Sequence, residues 1–145
     1  MNKPKLLIYE LNEVPRRLLD YFIKNNPNSA FAKISREGLI LNTLTKDDGE
    51  LHPWSTWPTV HRGIYNTIHN IRYINQDLQS VENFKPIWSL LAQNKIDVGV
   101  FGSLQSYPPI NSKHFKFYLP DTFSPGPEAI PEELRLFQSF NLELV

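Results

Sequence analysis

Apolar positions along this chain alternate between short continuous runs and helical stripes. Leu6 to Leu11 (LLIYEL) is a compact apolar run, as expected for a strand buried on both faces of a sheet. Pro15 suits the first turn of a helix, and Leu18, Leu19, Phe22 and Ile23 follow at helical spacing, which predicts a helix to about Lys24. Asn25-Asn26-Pro27-Asn28 ends it, and Ser29 to Glu37 forms a second short helix closed by Gly38. Leu39 to Leu44 (LILNTL) reads as a second strand, followed by an acidic loop from Lys46 to Glu50. Ser55 or Thr56 then caps a helix with Pro58 in its first turn, running through Val60 to about Ile64. Ile68 to Asn83 is polar and aperiodic, and reads as a surface excursion. Pro86 opens a helix with Ile87, Leu90 and Leu91 on one face. Ile96 to Phe101 and Phe115 to Leu119 read as third and fourth strands, and Glu132 to Asn141 as a last helix after a Pro/Gly-rich loop.

This order predicts an α/β domain with a largely parallel sheet flanked by helices. Sites in such sheets lie beyond the carboxyl ends of strands. Asn12 and Glu13, after the first strand, and Thr56, after the second, are therefore expected to share a crevice.

Composition narrows the field. The 145 residues suit one domain with a real core. Fifteen basic and fifteen acidic residues cancel, so no long-range positive field favours a nucleic-acid polymer. The absence of cysteine excludes disulfides, thiolate zinc sites and a Cys nucleophile. The apolar run at the N-terminus is broken at Glu10, too early for a secretory signal, and no run is long enough to span a membrane. The expectation is a soluble cytoplasmic protein.

Candidate chemistry concentrates in His52 to His69, HPWSTWPTVHRGIYNTIH, which holds three of the four histidines and two of the three tryptophans. Polar side chains are costly to bury unpaired, so such a stretch is either exposed or built into a site. Thr56 before Trp57-Pro58 reads on its own as a helix N-cap, and equally as a nucleophile set at a helix start, where free N–H groups meet an anionic substrate. Ser55 is the rival nucleophile. Asn12 and Glu13 read as caps of the helix at Pro15 or as metal ligands. His52 and His69 are either structural or substrate-side groups, and Trp54 and Trp57 are either core aromatics or stacking surfaces.

Two segments carry a family resemblance. LLIYELNEVPRRLLDYF and PWSTWPTVHRGIYNTIHNI resemble the opening strand with its metal-binding turn and the nucleophile segment of the alkaline phosphatase superfamily, specifically its type I phosphodiesterase and nucleotide pyrophosphatase branch. Ile87 to Leu91 and Val98 to Phe101 resemble the helix and strand that follow. The resemblance implies Thr56 as nucleophile and metal ligand, Asn12 or its neighbours Glu10 and Glu13 as metal ligands, and His52, Trp57 and His69 on the substrate side. It further implies a three-layer sandwich, a small-molecule phosphoester substrate and two divalent metal ions, zinc foremost.

The chain departs from the family pattern at three places: Asn12 replaces the usual Asp, Arg62-Gly63 the usual Thr-Gly, and His69-Asn70 the usual His-Gly. The family's remaining ligands are later Asp and His residues, and no Asp-His pair occurs here. The expectation is an N-terminal portion of one catalytic domain, 1–145, with most metal ligands outside it and little activity alone. A non-catalytic α/β binding module is the alternative, as is a sulfatase or phosphomutase branch of the superfamily.

Overall fold

The computed structural model describes residues 5–74, 76–81 and 83–145, with the side chains of 79 and 80 excepted. Among them the protein is mixed α/β, with six α-helices and a two-stranded parallel sheet. The chain divides into two compact units, Met1–Leu44 and Thr45–Val145. No helix among the described residues is long and apolar enough to cross a membrane.

The first unit holds α1 (Arg16–Asn25) and α2 (Ala30–Glu37). Both follow the predicted stripes closely. Pro15 stands at the N-cap of α1, where its missing N–H and fixed φ cost nothing. Ser29 caps α2 by accepting from the Ala32 amide at 3.2 Å. Phe22 and Phe31 join the two helices edge to face, with ring centroids 6.0 Å apart.

The expected strands Leu6–Leu11 and Leu39–Leu44 do not form. Both runs lie outside any ladder, with Leu7 85%, Leu39 82% and Leu44 96% exposed. Apolar content makes a segment able to serve as a strand, but only a partner's N–H and C=O groups make it one. No partner for either run is present among the described residues.

The second unit begins with α3 (Pro53–Arg62) and α4 (Asn66–His69), then a 3₁₀ turn at Leu78–Val81 and α5 (Ile87–Gln93). Next come β1 (Val98–Phe101) and β2 (Phe115–Leu119), then a 3₁₀ turn at Glu132–Leu134 that leads into α6 (Arg135–Leu142). The strands pair in parallel, with Val98 opposite Phe115 and Gly99 opposite Phe117, so Lys116 is bulged out of register. Tyr118 also exchanges both backbone hydrogen bonds with Ile130, at 2.7 and 2.9 Å. Trp88 and Ala92 of α5 pack on Val100, Phe115 and Tyr118 to form the core.

Two readings are corrected here. Helix α3 starts at Pro53 with His52 as its N-cap, three or four residues before the predicted Ser55 or Thr56 cap, and Pro58 lies inside it. Two prolines compete for the first turn, and the earlier one takes it. Pro58 leaves the Trp54 carbonyl without its helical donor, and the Gln105 side-chain amide reaches that oxygen at 3.4 Å. Nor is 68–83 a surface excursion: Ile71 and Val81 are buried, while residues 75 and 82 lie outside the described set. Single buried anchors between polar residues leave no periodicity for a pattern to reveal.

Candidate functional site

The polar centre of the second unit is built where the acidic loop meets α3 and α4. Gly63, in the left-handed region at φ 66°, ends α3 and turns the chain so that α4 returns beside it. Asn66, fully buried on α4, then clamps the loop. Its side-chain oxygen accepts from the Asp48 amide and its NH₂ donates to the Asp48 carbonyl, both at 2.9 Å. The same NH₂ reaches Ser55 Oγ at 3.2 Å. Arg72 adds a 2.6 Å bond to the Asp48 carbonyl.

Below this clamp lies a proton chain. Thr59 Oγ1 is 2.7 and 2.9 Å from the two Asp47 carboxylate oxygens and 2.9 Å from His69 Nε2. The Ile71 amide donates to His69 Nδ1 at 3.0 Å, so Nδ1 is bare and Nε2 carries the ring proton. The network therefore assigns one direction throughout: His69 Nε2–H donates to Thr59, and the Thr59 hydroxyl donates to Asp47. Asp47 is further held by the Asn66 amide at 2.8 Å. His69 is fully buried, and its pKa is pushed down to about 4. Desolvation is the main cause, and Arg62 adds to it against the opposing pull of Asp47. The geometry supplies a local reason too, since a second ring proton would face the Ile71 N–H donor to donor.

The anticipated site residues fall into separate settings. Thr56 is half-buried on α3, and its hydroxyl donates to the His52 carbonyl at 3.1 Å. Ser55 beside it is 1% exposed and bonded to Asn66. His52 stacks on Trp54, centroids 4.6 Å apart, with Nε2 3.0 Å from Glu50. Trp57 stacks on His61, which meets Trp88 in turn. Thus Thr56 meets His52 only at its backbone carbonyl, the His52 ring is held by Trp54 and Glu50, and His69 is taken up by Thr59. Asn12 and Glu13 sit in an exposed turn of the first unit, Glu13 at φ 55°.

Thr59 and Asn66 are not singled out from the sequence, and Asp47 enters there only as part of an acidic loop. A signal was nevertheless present. A stretch with this many polar side chains must satisfy them internally if it is buried, and Asp47 is the nearest acidic acceptor upstream.

The resemblance implies that most ligands of a two-metal centre lie outside this chain. Among the described residues no group of three His, Cys, Asp or Glu side chains is placed to hold a metal ion. Comparison with family models, curated proteins and solved structures gives no match for the chain.

Proposed function

We propose that this chain carries the nucleophile segment of a phosphoester hydrolase of the alkaline phosphatase type, acting on a small phosphodiester or pyrophosphate, with Thr56 as the attacking residue. One observation favours Thr56 over its neighbour. Of the two adjacent hydroxyls, Ser55 is closed off and committed to Asn66, while Thr56 is half-buried, with its rotamer fixed by a single bond to the His52 carbonyl. Thr56 also lies in the first turn of α3, where the positive end of the helix favours negative charge on an attacking oxygen and on phosphate. In the reaction the Thr56 Oγ–P bond forms as the P–O bond to the leaving group breaks. Water then cleaves the phosphothreonine ester and restores the hydroxyl.

On this reading most ligands of the two divalent ions come from outside these residues, Asn12, Glu13 and Thr56 being this chain's share. The exposed apolar runs 6–11 and 39–44 have the apolar content of strands whose partners are not among the described residues. The closed network around Asp47, Thr59 and His69 favours a second reading, a non-catalytic α/β binding module, because it leaves no polar group there in need of a substrate.

The test is hydrolysis of bis(p-nitrophenyl) phosphate and p-nitrophenyl phosphate by the complete protein, with zinc or manganese. Thr56→Ala should lower turnover by at least ~10³-fold, as for loss of an essential nucleophile, with Ser55→Ala folded and much less affected. Full activity in Thr56→Ala would overturn the nucleophile assignment, and a complete protein inactive with either metal would favour the module.

A further inference from the structure

A second polar cluster in the 45–145 unit has the opposite character to the closed Asp47 network. A cavity of about 340 Å³ is lined by Arg62, Trp88, Ser106 and Tyr118, with Val81 and Phe84 among its apolar walls. Arg62 Nε and Nη1 and Ser106 Oγ are buried from water and make no hydrogen bond among the described residues. The Trp88 indole N–H makes no well-formed bond either, though the Tyr118 phenol lies beside it. Tyr118 cannot satisfy the guanidinium as a counter-ion: burial raises its pKa and keeps it neutral, and its proton goes to the Ser106 carbonyl at 2.7 Å.

Desolvating a cation without an anion is expensive, and the cost is returned when an anion takes the vacant donors. Burial lowers the Arg62 pKa only to about 10, so the side chain stays cationic at neutral pH. An adjoining cavity of about 370 Å³ offers no equivalent demand. Its buried charge, Asp121, already accepts from the Gln105 and Phe123 amides at 3.0 and 2.9 Å.

We propose that this cavity is a binding site for a small organic anion, a phosphate or carboxylate on an apolar body, with Arg62 gripping the acid group, the Ser106 hydroxyl and Trp88 indole N–H completing its hydrogen bonds, and Val81 and Phe84 flanking the body. The volume suits a ligand of one or two rings. The planar guanidinium offers Nε–H and Nη1–H as separate charge-assisted donors to the oxygens of a carboxylate or phosphate. Arg62 is also one of the positions at which the chain departs from the phosphodiesterase pattern. The site stands whether or not Thr56 is a nucleophile, because the two residues are six positions apart on α3 and share no hydrogen bond.

The test is a ¹H–¹⁵N NMR titration of the full chain with phenyl phosphate, benzoate and, as the uncharged comparator, benzyl alcohol. Both anions should shift the Arg62 Nε–H and Trp88 Nε1–H resonances saturably, and benzyl alcohol should bind at least ~10-fold more weakly. Arg62→Met should weaken both anions by a similar factor. Where that variant fails to fold, Ser106→Ala should weaken phenyl phosphate by a few-fold. Unshifted resonances at ~20 mM anion, far weaker than ordinary small-molecule sites, would overturn the proposal. So would benzyl alcohol binding as tightly as the anions, or unchanged anion affinity in the folded variants.

Discussion

Acidification from pH 6.5 to about 4 should weaken the second unit through His69. The imidazole is fully buried, neutral, and bonded at both nitrogens in one tautomer. Its folded pKa of about 4 lies below the unfolded value of 6.5. Between those values the unfolded chain binds a proton that the folded chain refuses, so stability falls with falling pH. The contribution is fully present above 6.5 and lost by about pH 4. A difference of about 2.5 units corresponds to about 3 kcal/mol over the whole window, with a steepest slope of about 1.2 kcal/mol per pH unit. That is a large part of the stability of an ordinary domain.

The measurement is urea unfolding from pH 7.5 to 4.5, followed by tryptophan fluorescence. Trp54, Trp57 and Trp88 all lie in the 45–145 unit, so the signal reports the unit that holds His69. His69→Gln supplies the reference, because it keeps an N–H for Thr59 but cannot titrate. Asp121, raised by burial, acts in the opposite sense, losing stability as pH rises, and its share cancels in the comparison. Asp97, lowered chiefly by its His114 and Lys116 hydrogen bonds, and Glu128, lowered chiefly by Tyr107, lose their contributions only below the ordinary carboxylate range. Wild-type and His69→Gln curves with equal slopes between pH 6.5 and 4.5 would refute the reasoning. So would an imidazole ¹⁵N spectrum showing His69 cationic at pH 6.

Two further outcomes test the same architecture. Thr59→Val keeps the shape of the side chain but strips the link between His69 and Asp47, leaving a buried N–H without an acceptor. It should cost about 1–3 kcal/mol in urea unfolding, and a loss under ~0.5 kcal/mol would show that the hydroxyl bridge is dispensable. Gly63→Ala meets no atom within 4 Å of the added Cβ, so its cost should be the left-handed backbone penalty alone, about 1 kcal/mol. A change in thermal unfolding corresponding to more than ~3 kcal/mol would mean that the α3–α4 turn does more than reverse the chain.

Local signals were legible in the sequence wherever one residue type decides the outcome. Pro15 opens α1, Gly38 closes α2, and the stripe of Leu18, Leu19 and Phe22 forms a helix, because each rests on a rule internal to a few neighbours. The sheet was legible only where its partners are present. Ile96–Phe101 and Phe115–Leu119 pair with each other as β1 and β2, while Leu6–Leu11 and Leu39–Leu44 have the same apolar content and no ladder. Pairing is a property of two segments, and no pattern within one of them contains it. The same distinction runs through the candidate site. The density of histidine and hydroxyl in 52–69 marked the stretch, yet it could not tell a closed network from an open one. That depended on Asp47, twelve residues upstream of Thr59, and on the Ile71 amide, which fixes the His69 tautomer without any side chain at all. Arg62 is the reverse case. As a departure from the phosphodiesterase pattern it signalled only divergence, and its meaning came from burial beside Trp88 and Ser106, residues 26 and 44 positions further along the chain. Among the described residues its Nε and Nη1 find no acceptor, a cost to the fold that a bound anion would offset.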